Sequence, residues 1–107
     1  DKGDSMAMVS LGYAFAQGRF GVPVQGERAH MWFRRAARQG DESGMLFAGC
    51  ASALGIGVKK NIAAARRWFH KAERNGSLRA AALRSELDAG RDISWPEDIW
   101  SDDGEEE

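Results

Sequence analysis

A chain of 107 residues holds one domain with a modest core, and 43% hydrophobic content with four Trp and five Phe excludes a disordered polymer. The net charge of −1 conceals a partition: residues 1–91 carry all fifteen Lys and Arg against eight Asp and Glu, while residues 92–107 carry eight acids and no base. A single cysteine, Cys50, excludes an intramolecular disulfide and a cysteine-rich zinc site. It fits a reducing compartment such as the cytoplasm slightly better than an oxidising one. No apolar run approaches the roughly 18 residues of a membrane span, and the start does not resemble a signal peptide.

The chain opens on Asp rather than Met, and "DKGD" at 1–4 resembles "RQGD" at 38–41. Residues 1–3 therefore read as the end of a preceding unit. A first helix is predicted over 4–17, with Asp4 as its N-cap. Ala7, Leu11 and Phe15 form one apolar stripe on it, assigned to packing within the domain. Met6, Val9 and Tyr13 form a second stripe, which must be covered by a partner or left open as a groove. The glycines of "QGRFG" and Pro23 then forbid continuous helix. A second helix over 26–39 places Ala29, Trp32, Phe33, Ala36 and Ala37 on one face and Arg28, Arg35 and Arg38 opposite. It stops at Gln39-Gly40.

Asp41 is the expected N-cap of a third helix, 42–53, and "LGIG" ends it. A fourth helix over 62–75, capped by Asn61, writes the same stripe again in Ala65, Trp68, Phe69 and Ala72. Arg67, Lys71 and Arg74 occupy its other side, and Asn75-Gly76 closes it. The fifth helix, 77–89 with Ser77 as cap, carries Arg84 and Ser85 where earlier copies have Leu-Gly or Ala-Gly. Polar residues on a terminal packing face suit a capping helix. Residues 91–107 form an acidic tail that contains Trp95 and Trp100.

These elements repeat. Trp32 and Trp68 are 36 residues apart, as are Phe33 and Phe69, Ala36 and Ala72, and Gly40 and Gly76. Upstream the offset becomes 37, pairing Gly12 with Gly49 and Asp4 with Asp41. One residue of "GRFGV" is thus extra relative to "GIGV". Glycine inside a helix costs about 1 kcal/mol relative to Ala. Its recurrence at 12 and 49 suggests that a neighbouring helix packs on the bare backbone there. The expectation is that each Trp-Phe pair fills the seam between one hairpin and the next. A repeat of this length with two amphipathic stripes predicts an all-α right-handed α-solenoid of antiparallel helix pairs.

The pattern resembles the Sel1-like repeat, a relative of the tetratricopeptide repeat. Ala7, Leu11, Gly12, Phe15, Gly18, Gly21, Val22, Ala29, Trp32, Phe33, Ala36, Ala37 and Gly40 carry it in the first copy. The second copy departs at Gly44, Ala48 and Ser52, and Gln25 stands where the family usually has Asp. The residues give repeats at 4–40 and 41–76, a capping helix at 77–90 and a separate tail at 91–107, and the resemblance covers about residues 1–89. It implies a scaffold or adaptor that binds a partner protein or peptide on a concave helical face.

No residue set points to catalysis. His30 and His70 lack a second ligand at metal spacing, Cys50 has no nearby His, and neither glycine-rich turn has the context of a phosphate loop. A non-enzymatic protein without metal or cofactor is therefore expected. Groove candidates are Met6, Val9, Tyr13 and Gln17 from the first helix, Ser43, Leu46 and Cys50 from the third, and Arg79, Ala82 and Glu86 from the fifth. Ile93, Trp95, Ile99 and Trp100 are candidates for tail docking, on the basic repeats of the same chain or on a basic partner. The alternative is a nucleic-acid-associated subunit using Arg34, Arg35, Arg38, Arg66, Arg67, Lys71 and Arg74.

Overall fold

The computed structural model describes residues 2–18, 21 and 24–93. Among the described residues five helices follow one another: α1 (Lys2–Gln17), α2 (Gly26–Arg38), α3 (Glu42–Leu54), α4 (Ile62–Arg74) and α5 (Leu78–Asp88). No strand occurs among the described residues. The helices pack in sequence, α1 on α2, α2 on α3, α3 on α4 and α4 on α5, with α3 also touching α1. This is an all-α helical-repeat solenoid.

The helix starts have identifiable causes. Asp41 accepts from the backbone N–H groups of Ser43 and Gly44 at 2.8 and 3.2 Å, Asn61 from Ala64 at 2.9 Å, and Ser77 from Ala80 at 3.1 Å. Each side chain satisfies donors that the first helical turn would leave orphaned. Gln25 precedes α2 without a capping side-chain bond. Asp4 is not the cap of its helix, because α1 already begins at Lys2 and Asp4 lies in the first turn. There its negative charge still favours the helix N-terminus. α3 ends where Gly55 takes φ +75° and its N–H returns to the Ala51 carbonyl.

Packing is built from small residues facing aromatic rings. A methyl at Gly12 would sit 2.5 Å from Phe33 Cε1, and one at Gly49 would sit 2.6 Å from Phe69 Cε1. Each ring occupies the volume that a Cβ would need, so the same contact is built twice. Phe33 and Phe69 are fully buried, whereas Trp32 and Trp68 are only half-buried. The Trp-Phe pair therefore does not enter the seam as a unit. Neighbouring helical residues diverge by roughly 100°, so Phe takes the centre and Trp the margin.

Two apolar clusters result. One joins Val9, Tyr13, Ala29, Phe33, Ala36, Phe47 and Ala48, drawn from α1, α2 and α3. The other joins Ala37, Met45, Leu46, Cys50, Ala53, Ala65, Phe69, Ala72, Ala80 and Leu87, drawn mostly from α3, α4 and α5. Phe47 is the hinge pin of the first: its ring stacks on Phe33 at 5.1 Å and tilts against Tyr13 at 5.8 Å. A polar tie crosses the same seam, where the Ser5 hydroxyl donates to Asp41 Oδ2 at 2.7 Å.

This packing corrects part of the predicted groove. Val9, Tyr13, Leu46 and Cys50 are 2%, 3%, 3% and 0% exposed, so they line no open face. On α1 each stripe is split between core and surface: Met6 of the second is exposed and Phe15 of the first packs on the core cluster. The Val9–Tyr13 side turns inward to Phe33 and Phe47, while Ala7 and Leu11, assigned to packing, are exposed. On α3 every residue from Gly44 to Ala53 is buried, because neighbouring helices cover all of its sides.

Candidate functional site

Three surfaces bear on binding among the described residues. The first is the outer face of α1. Ala7, Ser10 and Leu11 are all exposed, as is Met6 one position before them. Thirty-seven residues on, their counterparts are Gly44, Phe47 and Ala48, all buried in α3. In α3 these positions take up α2: a methyl at Gly44 would meet Ala36 Cβ and Ala37 N at 2.7 Å, and Phe47 stacks on Phe33. The outer face of α1 thus has the position and small residues of a helix-receiving surface, with no helix on it among the described residues.

The second surface is the outer side of α4. Ala64, Arg67, Trp68 and Lys71 fall at i, i+3, i+4 and i+7, and with Arg66, His70 and Arg84 they line a hollow of about 680 Å³. Lys71 Nζ lies 5.6 Å from the Trp68 ring centroid, a cation–π arrangement. α2 has a similar feature, with Arg35 Cζ 5.1 Å from the Trp32 ring. At the edge of the hollow Arg84 grips Glu73 with two bonds, Nε to Oε1 at 2.9 Å and Nη2 to Oε2 at 3.1 Å. That fork holds the Glu73 carboxyl below its ordinary range and raises Arg84 in turn. Asp88 extends the network, meeting Arg84 Nη1 at 3.3 Å and Arg66 Nε at 3.0 Å. The polar residue at 84 therefore fastens α5 to α4 rather than facing water unused.

The third is a polar recess of about 520 Å³ lined by Ser5, Met6, Asp41, Glu42, Ser43 and Asn75 among others. It brings Met6 and Ser43 together. Of the remaining groove candidates, Gln17 is half-buried at the end of α1, Arg79 and Ala82 are exposed on α5, and Glu86 is half-buried and accepts from Arg91. Ile93 packs against the larger core cluster. Trp95, Ile99 and Trp100 lie outside the described residues.

The titratable groups offer little chemistry. Burial pushes the Cys50 thiol far above its usual range, which leaves it protonated and unreactive. Among the described residues no cluster of His, Cys, Asp or Glu could hold a metal ion, and no helix is long and apolar enough to cross a membrane. His30 Nε2 is buried without a hydrogen-bond partner among the described residues. Burial first, and the adjacent Arg34 second, lower its pKa from about 6.5. The unfolded chain therefore takes up this proton first as pH falls. Stability should be complete above about pH 6.5 and decline as pH drops from there toward the lowered folded value. A melting-temperature series on wild type and His30→Gln should show a shallower acid-side slope in the variant; equal slopes would remove His30 as the cause.

The profile of the Sel1 repeat matches residues 5–41 and 43–77, more than half of the chain. The chain belongs to the Sel1 repeat family. Sel1 repeats generally mediate protein–protein interaction. The fold is also similar to the crystal structure of a Sel1 repeat protein from Oxalobacter formigenes, with a TM-score of 0.75 and 28% sequence identity. That similarity covers 80% of this chain and 35% of the other, so this chain spans about a third of its neighbour's length. No curated protein gives a significant match. Within this Sel1 array Phe47 went unnoticed in the sequence, because it stands in the uninterrupted run Met45–Ala48 where no stripe can be told from another. The only available signal was its counterpart Ser10, a polar residue at the equivalent place in a helix without a predecessor among the described residues.

Proposed function

We propose that the chain is a non-catalytic protein-interaction module and that a partner docks a helix on the outer face of α1. The single observation that supports this is the repeat equivalence: Ala7, Ser10 and Leu11 are exposed, while Gly44, Phe47 and Ala48 at the same places in α3 receive α2. The ligand class follows from what α2 presents, a helix with small residues and an aromatic ring on one face, such as Ala29, Phe33, Ala36 and Ala37. Burying Leu11 and Met6 from their present 43% and 62% exposure contributes roughly 25 cal/mol per Å² of apolar area. A concave groove formed by the first helices is less well supported, since Val9, Tyr13, Leu46 and Cys50 are enclosed. Of the residues named for the nucleic-acid alternative, Arg66 is engaged by Asp88 and Arg35 lies over Trp32.

A photo-crosslinking residue at position 7 should capture a partner in the native host, and one at exposed Ala63 on α4 should not. Leu11→Glu should abolish capture while changing stability by less than about 0.5 kcal/mol, as usual for a surface site. Equal capture at both positions, or capture that survives Leu11→Glu, would exclude the α1 face.

A further inference from the structure

We propose that residues 94–107 dock in cis along the outer side of α4, with Trp95 entering the hollow beside Trp68 and the acids lying over Arg67, Lys71 and Arg74. This concerns a different surface from the α1 face and does not rest on it.

The first observation is where the described chain ends. After α5 the backbone turns at Gly90, φ +79°, and Arg91 N–H bonds back to the Glu86 carbonyl at 2.9 Å. Ile93 then packs on the core cluster beside the partly buried Ile62, and shares a recess with Leu54, Lys60, Ile62 and Leu87. The chain is thus released next to Ile62, the first residue of α4. From Ile62 to Trp68 is six residues of helix, about 9 Å along the axis at 1.5 Å per residue and about 120° around it. From Ile93 to Trp95 an extended chain spans about 7 Å, so side-chain length closes the gap. Running onward beside α4, Glu97 comes level with Lys71 and Asp98 with the last turn at Arg74.

The second observation is the chemistry of the hollow. Its floor is apolar, made of the Trp68 ring and Ala64, and its rim is basic. Trp68 is half-buried with Lys71 Nζ over its ring, which leaves an indole edge for another ring to meet edge-to-face. Arg67, Lys71 and Arg74 are exposed and have no acidic partner among the described residues. Facing this, residues 94–107 contain Trp95, Ile99 and Trp100, seven Asp and Glu, and no Lys or Arg. Aromatic anchors flanked by carboxylates are what an apolar floor with a cationic rim accepts. Tethering supplies an effective concentration that a separate peptide would have to match.

The test uses the full chain. Ser101→Cys carries a nitroxide label, while buried, protonated Cys50 stays unlabelled. Amide signals of Arg67, Trp68 and Lys71 should broaden, and those of Glu27, Arg34 and Arg35 on α2 should not. Broadening should fade at 1 M salt, where the screening length is about 3 Å. It should also vanish in the Arg67→Glu, Lys71→Glu variant, whose far-ultraviolet helix signal should match wild type because both side chains are exposed. Mixing labelled chains with isotope-labelled, unspun chains separates cis from trans. Broadening on α2 instead, none anywhere, or broadening found only in the mixed sample would each overturn the proposal.

Discussion

Phe69→Ala should remove a large share of the chain's stability and lower its urea midpoint steeply. Phe69 is fully buried in the cluster shared by α3, α4 and α5, and its ring fills the place of the missing Gly49 side chain. Emptying such a site costs about 3–5 kcal/mol, against a total stability of about 5–15 kcal/mol for a domain of ordinary size. The glycine worsens the loss, since no Cβ on α3 can move into the void. Trp68→Ala should cost less, because the half-buried indole has less area to lose. Urea titrations followed by far-ultraviolet ellipticity give both values. A Phe69→Ala midpoint equal to wild type, or a larger loss at Trp68, would reverse the assignment of centre and margin.

Gly44→Ala should destabilise the chain even though it improves helix propensity by about 1 kcal/mol. The added methyl would lie 2.7 Å from Ala37 N and 2.9 Å from the Ala36 carbonyl carbon. Those are backbone atoms of α2 that no rotamer change can withdraw, so α2 and α3 must move apart. Overpacking of this kind costs about 1–3 kcal/mol. Net of the propensity gain, the melting temperature should fall by several degrees, at about 4–8 °C per kcal/mol for a domain near this size. Ala7→Gly is the matched control on α1, where the exposed position should lose only the propensity difference. A melting temperature that rises in Gly44→Ala would show that the helices are not held this close.

Gly44 also shows what was legible beforehand. In the sequence it reads as a departure from the repeat pattern, and only the approach of α2 reveals why the smallest residue belongs there. Helix existence, order and caps were accessible because Asp41, Asn61 and Ser77 are local signals, as are the glycine stops. The stripe of α2 and α4 was legible because Ala and Phe recur at 3.6-residue spacing against arginines. The faces of α1 and α3 were not. α1 is apolar on two sides and α3 on all, so periodicity cannot say which side meets which neighbour. Periodicity therefore misplaces Ala7 and Leu11 as core and puts Val9, Tyr13, Leu46 and Cys50 on a groove that packing closes. Trp95, Ile99 and Trp100 could be read only as composition, a pair of indoles among acids.

The enclosure of α3 bears on what counts as one folding unit. The two apolar clusters are α1-α2-α3 and, apart from Ala37 of α2, α3-α4-α5, so α3 is a wall common to both. A sequence copy ends near Gly40, yet severing the chain there strips Phe33 of its stacked Phe47 and leaves Leu46 and Cys50 without the first cluster behind them. The unit that can close a core is three helices long and out of phase with the two-helix sequence repeat. Nearest-neighbour coupling of this kind makes unfolding concerted across the array, with the ends loosening before α3 does. Duplication or loss of a module in such a chain should therefore be tolerated at cuts that keep a shared wall intact, rather than at the borders that sequence similarity marks.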